Sequence, residues 1–335
     1  MAQNPEWPLW LEKLRWREAW LNLEAAEPAT LPPYLGSTIR GALGHLLRAV
    51  LCEGSGCGHE CQRPDTCRYY SLFERQGDGA KPFILLAPPP PGLEEIAMGG
   101  PVNLPYRTGA PHRGETIPAL RCEAGWKFNP GGEVRFGLRL MGPISSALAA
   151  IIEAVARFGL ALAGAQFHMV SARDAAGQVL YDRRFPAAPV QMPAWQSLTM
   201  ERETAHRVRI VFLFPAVFKL DRAPTFSPVE FAARFFEHSL GRAVQMYQAC
   251  SGVRLPWVEA PPVEAALAGH RLFHYELPRH SFRQDKRLDF DGVVGYLDLA
   301  GDLSAAMPWA RAAEVLHFGQ KAAFGLGKVR VLALE

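Results

Sequence analysis

Val134-Arg135-Phe136-Gly137-Leu138-Arg139-Leu140 alternates apolar residues with polar or small ones, and the run stops at Gly142-Pro143. Side chains two apart share one face of a strand, so the stretch reads as a half-buried β-strand. From Ile144 to Phe158 the apolar spacing becomes that of an amphipathic helix, Gly159 and Gly164 break it, and Gln166 to Val170 reads as a second strand. The same order returns about 160 residues later. Val293 to Leu299 meets Gly301-Asp302, a helical segment runs to His317-Phe318, and Gly319, Gly325 and Gly327 precede a strand from Lys328 to Leu334.

The front of each copy corresponds as well. Leu14 to Leu23 and Val208 to Leu213 read as strands, each followed by a proline-bearing loop and a helix, Gly36 to Leu51 in the first half and Ser227 to Gln248 in the second. Ser227-Pro228 supplies an N-cap and a first-turn proline. With Pro118 to Trp126 and Arg271 to Glu276 as middle hairpin strands, the chain becomes two βαββαβ units. The expected fold is therefore α+β, two tandem ferredoxin-like domains. The first spans residues 1–185, with a cysteine-bearing, irregular insertion at about 52–117. Residues 186–200 form a linker, the stretch Phe185 to Trp195 holding three prolines, and residues 201–335 form the second domain with its glycine-rich loop.

A chain of 335 residues has room for two such domains of about 100–200 residues each. Its 49% hydrophobic and 21% charged residues exclude a largely disordered chain. A net charge of only +3 argues against a protein that coats nucleic acid indiscriminately and directs attention to local clusters. No run of 18 apolar residues occurs and the first residues lack a signal-peptide pattern, so a cytoplasmic protein without a membrane partner is expected.

Three segments carry chemistry. The run from Gly319 through Lys321, Gly325 and Gly327 to Lys328 is expected to leave backbone amides open to a phosphate, with two lysines beside it. The stretch His270 to Arg287 interleaves Arg271, Arg279, Arg283, Lys286 and Arg287 with Phe273, Tyr275 and Phe282, the mixture of cations and stacking planes that RNA recognition uses. Cys52, Cys57, Cys61 and Cys67 place four soft ligands within one short segment. In a reducing compartment they favour a structural zinc site over disulfides, with an iron–sulfur cluster or plain thiols as alternatives and His59 as a substitute ligand. Cys122 and Cys250 stand apart and read as small hydrophobes.

Taken together, His280-Ser281-Phe282-Arg283-Gln284, then Gly292-Val293-Val294-Gly295-Tyr296-Leu297, Gly301-Asp302-Leu303, and His317-Phe318-Gly319-Gln320-Lys321 through Phe324-Gly325-Leu326-Gly327, resemble the carboxy-terminal domain of the CRISPR repeat-processing endoribonucleases of the RAMP superfamily. Leu31-Pro32-Pro33-Tyr34-Leu35-Gly36-Ser37 and Arg40-Gly41-Ala42-Leu43-Gly44-His45 resemble the first helix of members of that family. The resemblance implies a protein that binds CRISPR repeat RNA, with Ser281, Arg283, Gln284, Lys286, Gly319, Lys321, Gly325, Gly327 and Lys328 on the RNA. It also implies metal-independent attack of a ribose 2′-hydroxyl on the adjacent phosphate, leaving a 2′,3′-cyclic phosphate and a 5′-hydroxyl.

That reaction needs a base, an acid and a cation for the phosphorane. His45 is the candidate for proton transfer because imidazole titrates near neutral pH, Tyr34 could orient or share that work, and Arg40 or Arg48 could neutralise the phosphorane. His274 and His280 are reserve candidates, and His317 is expected to pack against the glycine loop. The rival expectation is a RAMP subunit that binds guide RNA within an effector complex without cutting it. A zinc-bearing RNA-binding module of another family leaves the paired resemblance at both ends unexplained.

Overall fold

In the computed structural model the two expected repeats are two sheets, each backed by two helices. The structure describes residues 10–52, 61, 63, 66–74, 80–199, 203–220, 223–255, 263, 265–281 and 286–334, with 220, 223, 278–281 and 286–289 described by backbone alone. In chain order the principal elements of the first half are β1 (Arg15–Ala25), α1 (Gly36–Leu51), β2 (Phe83–Leu86), β3 (Tyr106–Gly109), β4 (Ala119–Cys122), β5 (Glu133–Met141), α2 (Leu148–Phe158), β6 (Ala165–Asp174) and β7 (Val179–Asp182). The second half adds β8 (Arg207–Ala216), α3 (Pro228–Ser251), β9 (Ala266–Tyr275), β10 (Gly292–Ala300), α4 (Met307–Leu316) and β11 (Val329–Leu334). The sequence periodicity places α1 with the bounds observed, and Ser227 caps α3 as expected, its hydroxyl accepting from the Glu230 amide.

The first sheet runs β7-β6-β1-β5-β2 and the second β11-β8-β10-β9-β4-β3. Within each, the strand that opens the half lies between the last and the third strands of its unit. Alternation on β1 puts Ala19, Leu21 and Leu23 against Ile39, Leu43 and Leu47 of α1 and Ile151, Ile152 and Val155 of α2. On β8, Val208, Ile210 and Phe212 meet Phe231 and Phe235 of α3 and Ala310 and Ala313 of α4. Phe212, Phe231, Phe235 and Phe318 form edge-to-face and stacked pairs there.

The opposite face of the first sheet is buried in part against the second half. Trp16, Ile84, Leu86 and Met141 join the core around α3 and α4. Glu18, 4% exposed, is paired with Arg139 at 2.7 Å, and Arg139 also donates to the Val315 carbonyl at the end of α4. A buried carboxylate is tolerated because the guanidinium satisfies it from a strand pleat directly opposite, Glu18 and Arg139 being register partners.

Two expectations fail in the first half. The stretch Pro118 to Trp126 was expected as the middle strand of the first sheet, but Ala119–Cys122 is a strand that pairs parallel with β9 of the second sheet, and Trp126 opens a separate short strand, Trp126–Phe128, paired with Ala29–Leu31. The place in the first sheet belongs to β2, whose four residues are all buried and which pairs with β5 from Phe83↔Leu140 to Leu86↔Gly137. Consequently residues 80–117 are not an irregular excursion. They hold β2, a short helix Leu93–Ala97 and β3, and Leu93, Ile96, Tyr106 and Leu120 roof Phe273, Tyr275 and Val294 of the second sheet. Among the described residues no helix is long and apolar enough to cross a membrane.

Candidate nucleic-acid interface

The start of α1 and the glycine loop, far apart in sequence, are built against each other. The Tyr34 hydroxyl donates to the Phe324 carbonyl at 2.5 Å. Any side chain at Gly36 would put its Cβ 2.0 Å from the same oxygen, so the helix approaches the loop this closely only with glycine there. Burial pushes the Tyr34 phenol well above its ordinary pKa, with Tyr275 adding to the effect. Tyr34, expected to share proton transfer, is thus a buried strut between the halves whose proton is committed to a backbone carbonyl.

The loop itself also differs from expectation. The amides of Gln320, Phe324, Gly325 and Gly327 donate to Val217, Lys321, Ala322 and Pro215 carbonyls, so those four are satisfied within the protein and do not wait for a phosphate. Gly327, at φ +74°, is packed so tightly that a Cβ would overlap the Phe318 carbonyl. His317 packs as expected: it is buried, and its Nδ1 lies 3.0 Å from the Leu326 carbonyl. Burial, reinforced by Arg139, holds its imidazole well below the usual histidine range.

Beside this joint lies a cavity of about 890 Å³ whose charged lining is Arg40, Lys81, Arg234, Arg242 and Lys321 against the one carboxylate of Glu237, together with His238. Arg40 stacks on Phe324 at 4.4 Å and on Phe73 at 5.2 Å, while Lys81 donates to the Phe73 carbonyl at 3.3 Å. Burial, then the charge of Arg40, lowers the Lys81 pKa. Arg242 donates through Nε to the Leu316 and His317 carbonyls at the end of α4, and burial brings it down to about 10. His238 is wedged edge-on against Phe218 and Phe318, and burial followed by the Arg242 charge lowers it to about 4, so the imidazole is neutral at physiological pH. Lys321, at φ +66°, holds its ammonium 4.0 Å from the Phe290 ring.

The four residues expected at the reaction centre are therefore divided. Arg40 lines the cavity and Tyr34 lies beneath it. His45 and Arg48 are exposed on α1. At about 100° per residue, His45 stands half a turn from the buried stripe of Gly36, Ile39, Leu43 and Leu47, and about 140° from Arg40.

Of the expected RNA contacts, Gly319 and Lys321 line the cavity, and Gly325 packs beside Tyr34 and Ala87. Lys328 faces the Phe214 ring at 5.7 Å, with its pKa lowered by burial. Ser281 and Lys286 face each other across a hairpin of Pro278–Ser281 and Lys286–Asp289, whereas Arg283 and Gln284 lie outside the described residues. Cys57 and His59 also lie outside them. Cys52 caps α1, and Cys52, Cys61 and Cys67 pack at the edge of the first core. Among the described residues no group of three His, Cys, Asp or Glu side chains could hold a metal.

Sequence reasoning missed Lys81, Arg234, His238 and Arg242. A signal for three of them was present, because Arg234, His238, Gly241, Arg242 and Gln245 recur at helical spacing along α3 as a polar stripe beside its phenylalanines.

Residues 14–189, over half of the chain, match the N-terminal-domain family AF_1859_N, and residues 210–329 match the family of CRISPR-associated endoribonuclease Cas6. No curated protein matches by sequence. Among solved structures, the Cas6 protein TTHB231 in its product complex is 17% identical, with 95% of this chain and all of that one covered and a TM-score of 0.50. Thermus thermophilus Cas6 (TTHB231) on its own is 15% identical, with 95% and 99% covered and a TM-score of 0.48. A Cas6-related protein of Pyrococcus furiosus is 12% identical, with 95% and 98% covered and a TM-score of 0.45. At such identities the likeness is one of fold, and the sequence matches carry the assignment: the chain belongs to the AF_1859_N family, whose model spans over half of it, and its residues 210–329 are similar to the CRISPR-associated endoribonuclease Cas6 family.

Proposed function

We propose that the protein binds CRISPR repeat RNA and cuts precursor guide RNA without a catalytic metal, its two halves acting as tandem ferredoxin-like RNA-binding domains of residues 1–185 and 201–335 joined by the linker 186–200. The observation that carries this is the cavity at the joint of α1, α3 and the glycine loop, where five cations face one carboxylate. Such a surface suits a polyanion whose phosphates displace counterions. The match of residues 210–329 to the Cas6 endoribonuclease family supports the same substrate class.

In the reaction the ribose 2′-oxygen forms a bond to phosphorus as it loses its proton, the bond from phosphorus to the 5′-oxygen breaks, and that oxygen gains a proton. His45 is exposed to RNA on α1 and moves one of these protons; Arg48, three residues on, shares its side of the helix, and Arg40 meets phosphate from the cavity side. Ser281, Arg283, Gln284 and Lys286 extend the RNA contact along the hairpin. Cys52, Cys57, Cys61 and Cys67 hold a structural zinc that braces the segment leaving α1, so freshly purified, reduced protein contains about one zinc per chain, lost on Cys57→Ser with Cys61→Ser. Elemental analysis showing no metal would remove this part of the account.

One observation favours the alternative, a subunit that binds guide RNA in an effector complex without cutting. The imidazole that faces the cavity, His238, is held neutral, and the phenol beneath it is committed to Phe324. Incubation with candidate repeat RNAs in EDTA separates the two. A single defined cut bearing a cyclic phosphate establishes the nuclease, and tight binding with intact RNA establishes the subunit.

A further inference from the structure

At the end of β9, remote in sequence from the glycine loop, His274 is buried between two carboxylates carried by different elements. Its Nδ1 lies 2.8 Å from Glu115 Oε2, and its Nε2 faces Asp291 Oδ2 at 3.4 Å, a charge contact rather than an aligned hydrogen bond. The ring is stacked on Phe226 at 3.9 Å and tilted against His112 at 4.6 Å. Each carboxylate belongs to a separate piece of backbone. Glu115 sits in the loop of the β3–β4 ribbon, which joins the second sheet through β4, and the His274 amide itself donates to Pro118 of that loop. Asp291 accepts the Leu277 amide at 2.7 Å, and Phe290 donates to the Leu277 carbonyl at 3.1 Å. These two bonds close the base of the hairpin formed by Pro278–Ser281 and Lys286–Asp289, the cation-rich segment of the chain.

We propose that His274 is a positioning residue for RNA binding: its imidazolium clamps the β3–β4 ribbon, through Glu115, to the base of the 278–289 hairpin, through Asp291, and the neutral ring releases that clamp. The clamp is a property of the fold, whereas its effect on RNA rests on the proposed function.

The charged groups around the ring are Glu115 and His112 from the ribbon and Asp291 from the hairpin base. Glu276, beyond the ring, is held by His112 at 3.2 Å and by Arg121, and Phe226 contributes only its aromatic face. Burial alone would depress the His274 pKa, but its interactions with Asp291 and Glu115 outweigh burial and hold it above the usual 6.5. A raised value means the stabilisation is fully present below 6.5 and is lost as pH rises through the folded value. Burial would raise Asp291; the His274 contact, the Leu277 amide and the charge of His112 outweigh it and lower its pKa below the usual 3.8. Asp291 thus stays ionised through the range in which His274 titrates. The clamp is closed at mildly acidic pH and opens as pH rises through the raised value of His274.

Hydrogen exchange of the free, full-length protein reads the clamp without RNA. Exchange at residues 276–291 is compared between wild type and His274→Gln at each pH from about 6 to about 9, which cancels the intrinsic pH dependence of exchange. At the acidic end the hairpin base of the wild type should exchange more slowly than the variant's by on the order of five- to tenfold, the size of a partly screened charged hydrogen bond. By the alkaline end the ratio should approach one. A ratio that stays constant with pH overturns the proposal, since a ring that merely fills space gives that result. Should His274→Gln not fold, Glu115→Gln, altered only on the ribbon, carries the same comparison. In a His280→Gln background, which removes the hairpin's own imidazole, repeat-RNA affinity should follow the exchange ratio. Affinity that ignores it overturns the link to RNA. Absence of RNA binding at every pH would instead refute the proposed function and leave the exchange signature standing.

Discussion

α1 and α3 occupy the same place in the two halves, each following the strand that opens its unit, and they do different things. α3 buries Phe231, Phe235, Leu240 and Met246 and turns Arg234, His238 and Arg242 to the cavity. α1 buries Ile39, Leu43 and Leu47, gives the cavity Arg40 alone, and presents His45 on its far side. Repeated topology therefore does not repeat the chemistry. What each helix offers is decided by the flank its neighbours leave uncovered: the glycine loop and the residues around Phe73 and Lys81 meet α1 at Arg40, while α3 keeps an open polar stripe beside them. On this account the second half supplies most of the charge that holds RNA, and the first half supplies proton transfer.

The largest expected effect tests the α1 side of that contrast. His45→Ala should slow single-turnover cleavage by on the order of 10²–10⁴-fold with little change in binding, as loss of a general acid or base does. Cleavage at the wild-type rate would move the proton-transfer role off α1. A ribose lacking its 2′-hydroxyl before the scissile phosphate should be inert with wild-type protein whichever residue acts, because the nucleophile is gone.

A smaller effect is expected where the helices meet. Gly36→Ala places a methyl group against the Phe324 carbonyl, which has no room to retreat because Tyr34 bonds the same oxygen. Forced overpacking of this kind costs about 1–3 kcal/mol, to be read from denaturant midpoints, and should lower RNA affinity by displacing Arg40 from Phe324. An unchanged midpoint would show that the halves are less tightly joined than the structure has them.

Much of this was legible in the residues, for identifiable reasons. β1 and β5 have a partly open face over much of their length, so they alternate and announce themselves, whereas β8 and β10 are buried along most of theirs and were legible through the repeated order of elements. β2 does not alternate: Phe83, Ile84, Leu85 and Leu86 are buried on both faces, between proline- and glycine-rich stretches that read as loop. Pro118 to Trp126 has strand character, but local pattern says nothing about which sheet edge a strand joins, and β4 joins the second. The glycine loop was legible as a tight turn, yet only three dimensions reveal that Val217 and Pro215 already satisfy its Gln320 and Gly327 amides. The cations of α3 were visible as a stripe, and their meaning depended on Arg40 and Lys81 arriving from the other half.

The salt dependence of repeat-RNA binding tests most directly whether RNA lies in the joint between the halves. The slope of log affinity against log salt counts phosphate contacts, at about 0.7 per contact for a single strand. Arg234→Ala with Lys321→Ala, on the α3 and glycine-loop sides of the cavity, should weaken binding and make the slope shallower by about 1.4, two contacts' worth. The same affinity and slope as wild type, in a folded double variant, would place the RNA elsewhere on the molecule and contradict the account.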